Sequence, residues 1–140
     1  MSQTNTKHGD FQVLAGEDLT GKEDCLVKLT HDTGIGEVKL PAANTDYALY
    51  LLIEGAADAA RVSVRPIEPA RTVRIKLKGT CNPGDVLVLA DVATAADKGK
   101  VRALPAAAGT YRGLAIAEEA GVDTQTVLCR PAMIGNITVS

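Results

Sequence analysis

From Arg71 to Gly79 the chain reads RTVRIKLKG, an alternation that sets Val73, Ile75 and Leu77 on one face and Arg74, Lys76 and Lys78 on the other. Successive strand residues point to opposite faces, so the segment predicts a strand with one buried and one solvated side. VKL, EVKL, VSVRP, DVLVLAD, KVRAL and TVLCRP are likewise short, β-branched or alternating, and bounded by Gly, Pro, Asn or Asp. Asn82-Pro83-Gly84-Asp85 predicts a tight turn, Pro fixing φ and Gly accepting positive φ. DYALYLLIEGAADAA and YRGLAIAEEAG have compositions that suit helices. Gly113 and the turn-like tails favour a strand followed by a loop, with a short helical turn near Ala56 to Ala60 left open. The pattern as a whole predicts a mainly β chain.

The pattern also repeats. FQVLAGEDLTG, from Phe11, lies over RIKLKGTCNPG, from Arg74, matching Leu14 to Leu77, Gly16 to Gly79 and Gly21 to Gly84. Gly36 and Val38 then match Gly99 and Val101. After one inserted residue, Pro41, Ala42, Ala43, Tyr47 and Glu54 match Pro105, Ala106, Ala107, Tyr111 and Glu118. After a further slip VSVRP lies over VLCRP. Alanine-rich composition does not explain Gly, Pro, Tyr and Arg-Pro recurring in one order, so an internal duplication is inferred. The expected organisation is an extended arm over residues 1–10, a first β repeat over 11–71 and a second over 72–140, each a small barrel- or sandwich-like lobe. The terminal NITVS matches TVRIK, from Thr72, and so reads as the first strand of a third copy, pairing back to close the sheet.

Composition narrows the picture. Among 140 residues, the aromatics are Phe11, Tyr47, Tyr50 and Tyr111. A core of Ala, Val and Leu buries modest area per lobe, so two halves sharing a core, or an oligomer, are expected. A formal net charge of -2 argues against nucleic acid as partner. No apolar run reaches membrane-spanning length, and the polar MSQTNTKHGD start lacks a signal-peptide apolar region, so a soluble protein made in a cytoplasm is expected. Cys25, Cys81 and Cys129 lack CxxC spacing and predict reduced, mostly buried thiols rather than disulfides or a zinc site.

Candidate chemistry is thin. Asp32-Thr33-Gly34 is the triplet of aspartic proteases, but a two-lobed protease needs a carboxylate from each lobe, and the matching AADKGK lacks the triplet. Lys28, Thr30 and His31 also interrupt the apolar strand that would lead into it. Asp32 therefore reads as the start of a turn. His8 and His31 read as surface residues, and Ser2, Ser63 and Ser140 offer no nucleophile elbow. Glu118 and Glu119, as strand neighbours, would point apart. GIGEVK has no Walker lysine and leads into a strand. No enzyme, cofactor or metal site is expected, and the profile suits surface contact.

The second half resembles the small capsid cement, or decoration, proteins of tailed bacteriophages. The resemblance rests on Pro83-Gly84-Asp85 leading into an apolar strand, the Gly99-Lys100-Val101 hairpin, the segment from Gly113 to Ala120, and the strand at Val127-Leu128-Cys129. The first half departs from it, with Leu-Thr-Gly-Lys in place of Asn-Pro-Gly-Asp. The resemblance implies a structural role: binding the outside of an expanded phage head, bridging neighbouring major capsid proteins, commonly as a trimer, with an N-terminal arm laid over the shell. It implies a virion location, after assembly in the host cytoplasm. Thr6, Lys7, His8, Asp10 and Phe11 are then the expected capsid contacts, with Phe11 the anchor, unless that ring caps the first lobe's core. A ligand- or carbohydrate-binding β module of a head fibre or tail accessory protein is the alternative, disfavoured by the scarcity of flat aromatic faces.

Overall fold

The computed structural model describes residues 9–140, and among them every regular element is a β-strand. β1 (Phe11–Ala15), β2 (Leu26–Thr30), β3 (Glu37–Lys39), β4 (Tyr50–Glu54) and β5 (Arg61–Pro66) close into a barrel in the order β1-β3-β2-β4-β5. β6 (Val73–Lys76), β7 (Val86–Leu89), β8 (Val101–Ala103), β9 (Gly109–Ala117) and β10 (Thr126–Val139) form a second sheet in the order β6-β10-β9-β7-β8. The segments that could have been helices are strands followed by loops. Near Ala56 to Ala60 there is one hydrogen-bonded turn, Ala60 N donating to Ala57 O, with Ala59 at a φ of 64°.

The two sheets are wired alike. The β1–β5, β4–β5, β2–β4 and β2–β3 antiparallel pairs recur as β6–β10, β9–β10, β7–β9 and β7–β8. The parallel closure recurs too: Ala15 pairs with Val38, and Leu77 bridges Val101. Gly16 N donates to Val38 O at 2.9 Å, and Lys78 N donates to Val101 O at 2.8 Å. The backbone bonds also set the residue correspondence. Ala59 donates to Ala15 O and Ala15 to Ala60 O, just as Thr124 donates to Leu77 O and Leu77 to Gln125 O. Ala15, rather than Leu14, is thus the counterpart of Leu77, and Gly16 that of Lys78. The VSVRP–VLCRP match holds: Val64 faces Leu52 as Cys129 faces Ala117, and Pro66 faces Tyr50 as Pro131 faces Ala115.

The terminal NITV is not a third first strand. After a bulge between Pro131 and Gly135 it continues β10, pairing Asn136 with Arg112 and Val139 with Gly109. It extends the β9–β10 hairpin, whereas β6 pairs only with Thr126–Cys129.

The alternation in β6 does what it predicts: Ile75 and Leu77 are fully buried, and Arg74 and Lys78 are exposed. Leu19, Val27, Val38, Leu52, Val62 and Val64 fill the first barrel. Leu26, Ala48 and Leu51 belong instead to the second cluster, with Ile75, Leu87, Leu89, Val101 and Val127. The halves therefore share a core, as their small side chains require, each fully buried Leu contributing about 1.5–3 kcal/mol. Gly99 sits at the junction. It holds a φ of 86°, and its carbonyl accepts Leu26 N at 2.7 Å. A Cβ there would lie 2.8 Å from Leu26 O, so the approach of the lobes needs glycine.

Candidate interaction surfaces

Of the expected contact residues, Thr6, Lys7 and His8 lie outside the described residues. Asp10 is fastened to β5: its two carboxylate oxygens accept Arg65 Nε at 2.6 Å and Nη2 at 3.1 Å. That pairing holds the Asp10 carboxyl below its ordinary range and the Arg65 guanidinium above its own. The half-buried Phe11 ring stands edge-on to Tyr50, centroids 5.8 Å apart, and packs on the first barrel's core. Phe11 therefore already has a role inside its own lobe, and any external contact would use its exposed part.

A groove of about 170 Å³ opens where the lobes meet. Leu49, Ile67, Leu114 and Pro131 line it, with Tyr47 and Met133 at its mouth. Arg112 braces it from β9. Its guanidinium carbon lies 3.7 Å from the Tyr47 ring centroid, and its Nε donates to Thr45 O at 2.8 Å. Cation–π stacking of this kind contributes about 0.5–1 kcal/mol at an exposed site. The loop that presents Tyr47 is folded around Asp46, whose carboxylate accepts Lys28 Nζ at 2.9 Å, Ala42 N at 2.7 Å and Ala43 N at 3.0 Å. Burial pushes the Asp46 carboxyl up, but these donors outweigh it and leave the group below its ordinary range. The β10 bulge turns Met133 (74% exposed) and Ile134 outward beside Tyr47 (60% exposed). Sequence reasoning missed this patch because it assigned no element to residues 132–135, between TVLCRP and the NITVS read as the start of another repeat. Ala132-Met133-Ile134 between Pro131 and Gly135, apolar and without alternation, was the available signal.

A second cleft, of about 350 Å³, opens on the first barrel between the end of β1 and β3. Leu14, Gly16, Ile35, Glu37, Lys39 and Asp58 line it. Glu37 is 8% exposed, and its Oε1 has no hydrogen-bond partner, the Lys39 ammonium standing 3.7 Å away. Lys39 Nζ instead donates to Asp32 Oδ2 at 3.2 Å, which raises the ammonium's pKa. Asp32 lies in the exposed turn before β3, where Gly34, at a φ of 81°, donates to His31 O at 2.8 Å. The turn role expected of the Asp-Thr-Gly triplet is the one observed.

The remaining candidates are absorbed by structure. Glu118 pairs with Arg130, and Glu119 accepts both Arg74 Nη1 and Leu128 N. Cys25, Cys81 and Cys129 are free and buried. Burial pushes all three thiols up, that of Cys129 to about 12.

The fold has a solved relative. The chain is similar to the N base of the head fibre protein gp8.5 of bacteriophage phi29, with a TM-score of 0.67 over 89% of this chain and 93% of that one. The sequences are 16% identical. What the two share is the fold. No family model matches the chain, and no curated protein does either.

Proposed function

We propose that this protein is a structural accessory of a phage head, seated on the outer surface of the expanded shell and stabilising it by bridging neighbouring major capsid proteins. The observation that carries this reading is the agreement of two independent likenesses. The second repeat resembles capsid decoration proteins in sequence, and the whole fold is similar to the base of a phage head fibre. The surface suits the role: Tyr47, Met133 and Ile134 stand exposed about the junction groove, with Leu29, Ile35 and Val122 exposed elsewhere, and the polar candidates are tied into turns and ion pairs. In this reading the protein works by contact, as an oligomer, for which a trimer is proposed. The stretch carrying Thr6, Lys7, His8, Asp10 and Phe11 reaches the shell from a base fixed by the Asp10–Arg65 pair. Many modest contacts on a lattice hold through multivalency, so few bulky anchors are needed.

Add-back sedimentation tests it: purified protein is mixed with expanded heads of the parent phage that lack it, and bound copies per head are counted. Saturation at a copy number matching one class of lattice position is expected. Protein left in the supernatant at micromolar concentration beside intact heads would refute the proposal. The second reading, that the chain is the base of a fibre or a ligand-binding module, is favoured by the named neighbour itself. Under it, binding would saturate at the copy number of the fibres, without any gain in the heads' heat resistance.

A further inference from the structure

Pro66 and Pro131 are counterparts, and beyond them the two repeats diverge. After Pro66 the chain reads IEPAR, where a proline and charges discourage further pairing. After Pro131 it reads AMIGNITV, with no charge and no further proline. That stretch is paired along one side only. Gly135 to Val139 face β9, whereas the pairing with β6 stops at Cys129. Arg112 shows which groups the open side presents. Its N–H turns away from β10 and donates to Asn44 O at 3.2 Å. Bonded and non-bonded pairs alternate in an antiparallel ladder, so Gly113–Gly135 and Tyr111–Ile137 are the bonded pairs. Asn136 and Thr138 therefore aim their N–H and C=O groups off the sheet, where no described residue meets them. This open side runs into the junction groove, because Pro131, Ala132, Met133 and Gly135 of the same strand line it. Arg112 is the only charged residue of that lining. Its Nε serves Thr45 O and its face the Tyr47 ring, and it makes no ion pair among the described residues.

We propose that β10 accepts an extended segment of a second polypeptide as an added strand, which places one aliphatic side chain in the junction groove and a carboxylate on Arg112. Each part of that occupant answers a feature of the surface. The outward backbone groups of Asn136 and Thr138 call for extended main chain: in strand addition the backbone bonds supply affinity and pockets for alternate side chains supply specificity. The groove of about 170 Å³, walled by Leu49, Ile67 and Leu114, takes an aliphatic group. A guanidinium with no acidic partner favours a carboxylate, through charge-assisted bonds. Alternate strand residues share a face, so the aliphatic and acidic residues stand two apart. A second copy adding the same stretch would bring Arg112 no carboxylate, since AMIGNITV has none. The inference goes beyond the head-binding reading, because the segment is recognised by its chemistry whichever protein carries it.

The test is an NMR titration of the full chain at pH 7 with the peptide acetyl-TDTLTDT-amide. Its sequence reads the same in both directions, so either strand polarity offers a carboxylate to Arg112. The peptides with Asn for both Asp, and with Ala for Leu, serve as comparisons. Saturable shifts at Arg112, Leu114 and Met133 are expected, with slowed hydrogen exchange at the amides of Asn136 and Thr138. Each comparison peptide is expected to bind at least fivefold more weakly. Arg112→Gln should make the Asp and Asn peptides bind alike. Thr138→Pro removes an outward N–H without touching the β9 ladder, and is expected to weaken binding tenfold or more. Four results would overturn the proposal. They are no saturable response, equal binding of either comparison peptide, shifts without slowed exchange at Asn136 and Thr138, and slowed exchange that grows with chain concentration before any peptide is added, which would assign the edge to a second copy. The exchange measurement uses the unaltered chain, so the test stands even if Thr138→Pro fails to fold. No head enters it, so its outcome is separate from that of the add-back assay.

Discussion

Asp46 shows how one carboxylate can hold a surface feature in place. It gathers an ammonium and two backbone N–H groups, and the loop it folds presents Tyr47 to Arg112. Asp46→Asn is expected to cost about 1–2 kcal/mol at neutral pH, checked by urea unfolding. Because the folded-state pKa is depressed, the contribution is complete above the unfolded value near about 4 and disappears as pH falls through the lower folded value. The gap between wild type and variant should therefore narrow below about pH 4. Cys129 gives a second check. Its thiol, pushed up to about 12 and enclosed beside Val73, should resist iodoacetamide at pH 8 in the folded protein and react once the chain is denatured. Glu37 was the residue hardest to foresee. EVK alternates, which assigns Val38 inward and Glu37 outward, yet both are buried. The cause lies just past the end of β1: a Cβ on Gly16 would lie 2.8 Å from Glu37 Cδ, so the carboxylate occupies space that the glycine leaves.

At the scale of elements, the strands were legible because period-two alternation and Gly, Pro, Asn and Asp boundaries act locally. The tight turn over Asn82–Asp85 forms as its residues dictate, with Gly84 at a φ of 91° and Asp85 Oδ2 accepting Asn82 N at 2.8 Å. The parallel β1–β3 pairing was not legible, because nothing in either strand names its partner. The extension of β10 was hidden for a related reason: NITV alternates like a first strand, and only the bulge before it, which lets Gly135 re-aim the chain, makes it continue the last one. The β7–β8 hairpin, which carries Gly99, offers a direct test of the junction. Gly99→Ala meets both a positive φ and the Leu26 carbonyl, so a loss of about 2 kcal/mol or more is expected in chemical denaturation. Gly84→Ala, with nothing within 4 Å of the new Cβ, should lose less.

On the scale of the whole molecule, duplication was visible in sequence before any contact was known, and the ten strands form two rings with one wiring. What the repeat could not show was where the rings differ, and the junction groove lies there, beside the bulged, apolar strand of the second. If the junction groove meets the head, Met133→Asp should weaken head binding tenfold or more in the add-back assay. Its 74% exposure should keep the change in folding stability within about 0.5 kcal/mol. The sharing of the core also sets an order of assembly. β1 finds β5 within the first 66 residues, so the first ring can close while the rest of the chain is still being synthesised. Leu26 and Leu51 belong to the core that the second ring completes. A ribosome that stalls between the repeats would therefore hold out a closed but sticky half-molecule, and the time to make the second repeat is the time that surface must be kept from its neighbours.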